Sequence, residues 1–82
     1  MFTFQLPHQN IHSSIYPNPT TNFINIETNQ IGEVVQIIDS QGKVLSLFQL
    51  NTSKQQHQVS NLPTGTYFVK IGNETRKLLI TK

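Results

Sequence analysis

The chain has no cysteine and no tryptophan among its 82 residues. The absence of cysteine excludes a disulfide framework, a zinc site built on thiolates and a thiol nucleophile. Charged residues make up only 12% of the chain, and the net charge of +2 is too small to indicate nucleic-acid binding. No apolar run approaches the roughly 20 residues that a membrane-spanning helix requires. The opening stretch MFTFQLPHQNIHSS lacks the basic start and the continuous apolar segment of a signal peptide.

The length predicts one small domain, near the lower limit at which a hydrophobic core alone holds a fold. Asn, Gln, Ser and Thr are abundant where charged residues are scarce, which is typical of a strand-rich surface. All the basic residues lie in the second half with one acid, Glu74, whereas Glu27, Glu33 and Asp39 precede them. This asymmetry indicates either a solvated sheet face or a surface that meets an acidic partner or a membrane.

Short apolar runs separated by turn-forming residues predict an all-β sandwich or barrel. We expect strands at about residues 11–16, 22–27, 34–39, 44–50, 57–60, 66–71 and 75–81, and no window predicts a helix. We assign residues 13–82 to this domain and residues 1–12 to a linker. Within the linker, FTFQL has a strand-like alternation that would suit pairing with an open sheet edge.

Four connections have the residues of tight turns. In DSQGKV, Asp39 suits the first position of a type I turn and Gly42 a left-handed position, which predicts a hairpin. The Gly-Asn pair of IGNET predicts a second hairpin. LPTG predicts a type I turn with Pro63 second and Gly65 fourth. The prolines of YPNPTTN cannot donate to a strand ladder, so we expect them to end an edge strand.

Alternation along the strands predicts a single core, because side chains two residues apart lie on the same face. We expect the core to contain Tyr67, Val69, Ile71, Val35 and Ile37, with either Phe23 or its neighbours Ile24 and Ile26. The apolar run Leu78–Ile80 belongs either to a strand covered on both sides or to one that presents an apolar face to a partner. GTYFV also has the spacing of a tyrosine corner, in which Tyr67 donates its hydroxyl to upstream backbone.

Three histidines and a few acids are the candidates for chemistry. His8 and His12 have the spacing of one helical face, but the proline and serines around them disfavour a helix. His57 lies in a polar stretch, and we expect its side chain to be exposed and without function. A Ser40–His57–Asp39 triad would have no nucleophile elbow, and the acids are too widely spread for a paired-carboxylate mechanism. The sequence therefore predicts no catalytic residue, no metal site and no cofactor.

LPTGT, residues 62–66, differs by one position from the LPxTG signal that sortases of Gram-positive bacteria cut. That signal has Thr fourth and Gly fifth, whereas here Gly65 is fourth and Thr66 is fifth. A wall-sorting signal is also followed by an apolar spanning helix, which this sequence lacks. LPTGT is therefore not that signal.

Four segments in a fixed order carry a different resemblance: IYPNPTTNFINI, VVQIIDSQGKVL, LPTGTYFVKI and the final TRKLLITK. Together they resemble the C-terminal sorting domain of type A cargo of the type IX secretion system in Bacteroidetes. The resemblance implies an immunoglobulin-like antiparallel β-sandwich of about seven strands. It also implies a non-catalytic sorting signal, fused to the end of a cargo protein that crosses the periplasm and reaches the outer-membrane surface or the medium.

The implied partners are the outer-membrane secretion and sortase machinery and an N-terminally fused cargo domain, with no nucleic acid and no small-molecule substrate. The resemblance also implies that the sortase removes the domain and attaches the cargo to lipopolysaccharide. The family motifs fall on Tyr16, Pro17, Asn18, Pro19, Gly42, Lys43, Pro63, Gly65, Tyr67 and Lys82. Phe68 stands where the family commonly has Val. Turns, the corner and the edge break account for most of these residues, whereas Lys43 and Lys82 are the better candidates for contact with the machinery.

Two other functions fit the same fold class. The first is an accessory binding module of a surface enzyme, immunoglobulin-like or fibronectin-like, that binds carbohydrate or protein. Carbohydrate binding would need an exposed aromatic platform, for which Tyr16, Phe48 and Phe68 are the candidates. The second is a protease-resistant end cap that stays on the mature protein.

Overall fold

The computed structural model describes residues 13–82. Its strands are β1 (Ser13–Tyr16), β2 (Phe23–Thr28), β3 (Val34–Asp39), β4 (Val44–Gln49), β5 (Lys54–Gln58), β6 (Gly65–Ile71) and β7 (Glu74–Ile80). The predicted seven strands are confirmed, and the described residues contain no helix. Strand β5 begins three residues before the predicted start, because KQQHQ has no apolar residue to mark it. The predicted linker, with His8 and His12, lies outside the described residues.

The strands form two antiparallel sheets that enclose one core. The three-stranded sheet has the order β1-β2-β5, and the four-stranded sheet has the order β4-β3-β6-β7. This arrangement is the predicted immunoglobulin-like sandwich. The buried core consists of Ile24, Ile26, Val35, Ile37, Leu50, Val59, Tyr67, Val69, Ile71, Leu78 and Ile80. Each fully buried aliphatic side chain contributes about 1.5–3 kcal/mol to folding.

The structure shows which side chains of β2 and β7 face the core, a question that the sequence left open. In β2, Ile24 and Ile26 are fully buried and Phe23 faces outward with 36% of its surface exposed. In β7, Leu78 and Ile80 enter the core, while Leu79 faces outward and is 36% exposed. The apolar run in β7 therefore covers both faces of one strand, and its outer face is open to solvent.

The two ends of the sandwich differ in which connections they carry. The chain enters β1 at Ser13, and this entry end also holds residues 29–33, 50–53 and 72–73. The opposite end, called here the motif end, holds residues 17–22, 40–43, 59–64 and 81–82.

The sheets are joined along both open flanks. Between β1 and β7, Thr20 forms a parallel bridge with Ile80 at the motif end, and its N–H donates to the Leu79 carbonyl at 2.9 Å. At the entry end of the same flank, the Arg76 guanidinium donates to the Ser13 carbonyl at 2.8 Å.

The other flank, between β4 and β5, is closed by an aromatic contact. The rings of Phe48 and His57 stack with centroids 4.1 Å apart and planes 15° from parallel. The prediction that His57 is solvent-exposed is therefore wrong, because the imidazole is half-buried against this ring. Burial lowers the pKa of His57 below its ordinary value.

Three of the four predicted turn features are confirmed. Gly42 has φ of 91°, its N–H donates to the Asp39 carbonyl, and the Asp39 carboxylate accepts from the N–H groups of Gln41 and Lys43 at 2.9 Å. Gly72 has φ of 57° in the two-residue connection between β6 and β7. Strand β1, at the edge of its sheet, ends directly before Pro17.

The predicted type I turn at LPTG lies elsewhere. The hydrogen-bonded turn of this segment is formed by residues 59–62, where the Leu62 N–H donates to the Val59 carbonyl at 3.0 Å. The chain then bends at Leu62 and Thr64 before β6 begins. Gly65 is the first residue of β6, and it is not among the glycines with positive φ. The backbone at Gly65 therefore does not require glycine.

Candidate recognition surface

The residues that match the family motifs come together at the motif end, although they are spread over 67 positions of the sequence from Tyr16 to Lys82. Sheet register explains this convergence. Asp39 pairs with Tyr67 in the four-stranded sheet, and Gly65 pairs with Ile80, so the β3–β4 turn, the start of β6 and the last residues are neighbours. The Thr20–Ile80 bridge adds the segment that follows β1.

Asn18 docks onto the outer edge of β7. Its amide nitrogen donates to the Lys77 carbonyl at 2.8 Å, and its amide oxygen accepts the Leu79 N–H at 2.9 Å. Because β7 is an edge strand, these backbone groups have no neighbouring strand on that side. The Asn18 side chain therefore supplies the two hydrogen bonds that a further strand would have made.

Tyr67 forms the predicted tyrosine corner. Its buried ring packs in the core, and its hydroxyl donates to the Pro63 carbonyl at 2.6 Å. This bond fixes the path of the chain between the turn at residues 59–62 and β6. A methyl group at Gly65 would lie 3.6 Å from the Tyr67 ring, which is ordinary van der Waals contact.

Lys82 is bound to the rest of the motif end through its backbone and its side chain. Its ammonium donates to the carbonyls of Ser60 at 2.8 Å and Thr21 at 3.1 Å, and its N–H donates to the Thr64 hydroxyl at 3.0 Å. The cation at Lys82 therefore has a structural role that no turn or core pattern in the sequence indicated. Its ammonium links the segment after β1 to the turn before β6.

Lys43 differs from Lys82 in how the fold uses it. Its N–H donates to the Asp39 carboxylate at 2.9 Å, and this bond depends on the backbone alone. Its side chain is exposed at the hairpin between β3 and β4. The Lys43 ammonium is therefore the motif cation that can be removed with the least effect on the fold.

Tyr16, Pro17 and Pro19 complete the motif residues, and all three are exposed. The Tyr16 hydroxyl donates to the Glu27 carboxylate on the neighbouring strand. This hydrogen bond raises the pKa of the Tyr16 phenol above its ordinary value. The Lys54 ammonium lies 3.6 Å from the same carboxylate.

Contacts of the motif end also involve residues that sequence reasoning missed. Thr20 is buried, and it accepts the Thr81 N–H at 2.9 Å in addition to donating to Leu79. The carbonyls of Thr21 and Ser60 and the hydroxyl of Thr64 bind Lys82. Polar residues in loops, with no periodicity or turn signature, carry no sequence signal for such contacts.

Residues 13–82 contain no cluster of three or more His, Cys, Asp or Glu side chains that could hold a metal ion, and they enclose no pocket. No helix in this part of the chain is long and apolar enough to cross a bilayer. The loops of the motif end are held by hydrogen bonds, and this end has exposed side chains at Tyr16, Pro17, Pro19 and Lys43.

A family model described as a secretion system C-terminal sorting domain matches residues 14–82, which is nearly all of the described chain. The chain belongs to this family. The resemblance to type IX sorting domains is thereby confirmed, and membership of this family implies an N-terminally fused cargo and export to the cell surface or the medium.

A curated relative of this sorting domain is beta-agarase A of Zobellia galactanivorans, 26% identical over 68 residues. The aligned region is 80% of this chain but only 13% of the agarase. The similarity therefore concerns a small part of that enzyme. No solved structure matches the sorting domain.

Proposed function

We propose that this domain carries a fused cargo across the outer membrane through the type IX system, and that the machinery reads the motif end. The observation that supports this proposal is the convergence of the motif residues at one end of the sandwich. Lys43, on its hairpin, and Pro17, after β1, are exposed there on different connections, so a single partner surface can contact both. If these side chains were buried, they could not contact a partner and would serve the fold alone.

Recognition and removal of the domain would use opposite ends. The chain enters β1 at Ser13, at the entry end, so whatever precedes Ser13 joins the domain at the end opposite to the motif end. A sortase can then cut the chain before Ser13 while the machinery still holds the domain. In this proposal residues 1–12 are the linker, the cargo passes through the periplasm, and the released cargo is attached to cell-surface lipopolysaccharide.

The proposal is tested by fusing the whole 82-residue chain behind a reporter that has an ordinary export signal. We expect a type IX-competent bacterium to deliver the reporter to its surface or the medium, and a strain without the type IX translocon to retain it in the periplasm. Retention of the unmodified fusion in the competent strain would refute the sorting function. Mass spectrometry of the exported reporter tests removal, since a retained domain excludes it and supports an end cap.

The recognition surface is tested with Lys43→Ala, because the fold uses only the backbone of this residue. The matched control is Lys54→Ala, which removes a cation from the entry end. We expect Lys43→Ala to slow export and Lys54→Ala to leave it unchanged. Equal export rates for both variants and the unmodified fusion would remove Lys43 from the recognition surface.

Lys82→Ala tests the same surface together with the fold. This variant loses the ammonium bonds to the carbonyls of Thr21 and Ser60, so its unfolding must be measured beside its export. Lys82→Arg keeps the charge and a donor, and we expect it to restore export if the charge matters. Normal export of Lys43→Ala combined with Lys82→Ala would refute the role of both lysines.

One observation favours carbohydrate binding as a second candidate function. On the outer face of the three-stranded sheet, Phe23 and Tyr16 are 36% and 40% exposed and lie diagonal to each other. Side-chain amides of Asn25, Gln56 and Gln58 share this face. Of the rings expected to be exposed, Phe48 and Phe68 are half-buried. Phe23 was not among the expected rings. A polysaccharide pull-down that Tyr16→Ala and Phe23→Ala abolish would support this function, and no binding by the unmodified chain would exclude it.

A further inference from the structure

The outer face of the four-stranded sheet is unusually apolar for a surface of this chain. Strand register places these apolar side chains outward: Val34, Ile38, Val44, Leu47, Phe68 and Leu79. Leu47 is 65% exposed and Val44 is 46% exposed, on the edge strand β4. Ile38 pairs with Val44 on one side and with Phe68 on the other, so the apolar side chains continue from β4 across to β6.

The charge on this outer face has one sign. Lys70 lies beside Gln36 and Thr75, and Lys77 lies beside Phe68, so both ammonium groups border the apolar side chains. No Asp or Glu occupies an outward position on β3, β4, β6 or β7. The opposite face of the sandwich is different, because its cation Lys54 lies 3.6 Å from the Glu27 carboxylate.

We propose that this outer face is a docking surface for a protein of the secretion machinery whose own surface carries apolar side chains bordered by carboxylates. The inference rests on the proposed function, since it names a second contact of the sorting domain beyond the motif end. The inference is based on charge complementarity, because the two cations of this face have no acid at a neighbouring outward position and would attract carboxylates of a partner. The exposure of its apolar side chains to water is also unfavourable, so a partner that covers them is favoured.

The size of the face indicates a transient contact. Four strands spaced about 4.8 Å apart, each about 20 Å long, give roughly 400 Å². A stable complex buries about 800 Å² on each partner, whereas weak and transient encounters bury less. A cargo that must be released after transport fits the smaller contact.

A membrane or a second copy of the chain suits this face less well. Anionic membranes are recognised through clusters of about four to eight basic residues, and this face has only Lys70 and Lys77. Face-to-face pairing of two copies would bring lysines near lysines with no carboxylate between them. An acidic protein surface meets neither difficulty.

The inference is tested with two variants of the reporter fusion that lower the net charge equally. Lys70→Gln with Lys77→Gln removes two cations from the proposed face, and Gln56→Glu with Gln58→Glu adds two anions to the opposite face. We expect the first pair to lower the initial export rate about fivefold or more, and the second to leave it within about twofold, as complementary charges mainly accelerate association.

An additional variant, Leu47→Gln, tests the apolar part of the face at its most exposed residue. We expect it to slow export while its thermal unfolding midpoint stays close to that of the unmodified chain, since this side chain lies outside the core. Normal export of both the lysine pair and Leu47→Gln, with the unmodified fusion exported, would overturn the docking surface and leave the sorting function intact. Retention of the unmodified fusion would overturn both.

Two measurements on the purified chain decide between occupants. Sedimentation velocity tests self-association, and co-sedimentation with vesicles of phosphatidylethanolamine and phosphatidylglycerol tests membrane binding. We expect a monomer that stays out of the vesicle pellet. Dimerisation that Leu47→Gln abolishes, or vesicle binding that Lys70→Gln with Lys77→Gln abolishes, would overturn a machinery protein as the occupant.

Discussion

The two ends of the sandwich are held by different combinations of contacts. At the motif end, the Asn18 amide, the Tyr67 hydroxyl and the Lys82 ammonium all bind backbone groups. At the entry end, some side chains also bind backbone groups, as Arg76 does at the Ser13 carbonyl, but others bind one another, as in the pair of hydroxyls of Ser13 and Thr28 at 2.8 Å.

The difference shows what the motif residues do for the fold. A side chain that binds backbone groups fixes the path of the chain, whereas two side chains that bind each other act on that path less directly. The motif end therefore combines structure and exposed chemistry in the same residues. A loss of export after a substitution there has to be separated from a loss of folding.

The largest expected effect is at Asn18. Asn18→Ala removes two hydrogen bonds to the edge of β7, and at about 1 kcal/mol for each bond it should lower the free energy of unfolding by about 2 kcal/mol. Gln30→Ala is the counterpart at the entry end, where the amide donates at 3.4 Å to Ser13 and at 3.2 Å to Glu74.

These longer bonds to side chains should make Gln30→Ala cost no more than about 1 kcal/mol. Urea denaturation of both variants measures the difference. An equal loss would contradict the distinction between the two ends. The result also decides whether Asn18 variants are usable in export experiments at all.

Two tyrosine hydroxyls give a smaller and sharper contrast. Tyr67→Phe leaves the Pro63 carbonyl without its donor and should cost about 1 kcal/mol. Tyr16→Phe removes a solvent-exposed bond to Glu27 and should lower stability less than Tyr67→Phe does. Thermal unfolding of the two variants is the measurement, and a larger loss for Tyr16→Phe would contradict the tyrosine corner as the stronger structural contact.

Alanine substitutions at two motif glycines should have different effects on stability. Gly42→Ala places a side chain at φ of 91° and should cost about 1 kcal/mol. Gly65→Ala adds a methyl group at ordinary contact distance from Tyr67, at a position without positive φ, and should be close to neutral. If Gly65→Ala keeps its stability but slows export, Gly65 matters to the machinery; if it unfolds the chain, the fold requires glycine at this position.

The smallest expected effect concerns the flank between β4 and β5. The pKa of His57 is lower in the folded chain than its unfolded value of about 6.5, so the unfolded state binds the proton more strongly. This contribution to stability is complete above about pH 6.5 and is lost as the pH falls from there toward the folded pKa. His57→Gln should reduce this dependence in urea titrations at several pH values, and an unchanged slope would contradict it.

Prediction from sequence succeeded where the signal was local. Val35, Ile37, Val69 and Ile71 alternate with outward residues, and all four are fully buried. It placed the start of β5 three residues too late, because no apolar residue marks the strand. Periodicity also could not choose between Phe23 and its neighbours, because that choice depends on the sheet that lies opposite.

The candidate site was predictable as a set of residues and not as a surface. The order of the motifs identified the family, and the spacing in GTYFV predicted the hydroxyl bond of Tyr67, which the structure confirms. The bonds of Asn18 to β7 join positions 61 and 59 residues apart, and nothing in either segment signals the other. For the same reason, no sequence signal indicated that the Lys82 ammonium binds carbonyl groups of distant segments.

The sequence by itself determined the all-β class, the seven strands, the hairpin at Asp39–Val44 and the family, because alternation and turn chemistry depend on neighbouring residues. Only the tertiary structure decided that the motif residues share one end, that Lys82 is bonded there, and that an apolar face with unopposed lysines is exposed. Those features depend on strand order and register, which are set by the packing of distant strands into a common core.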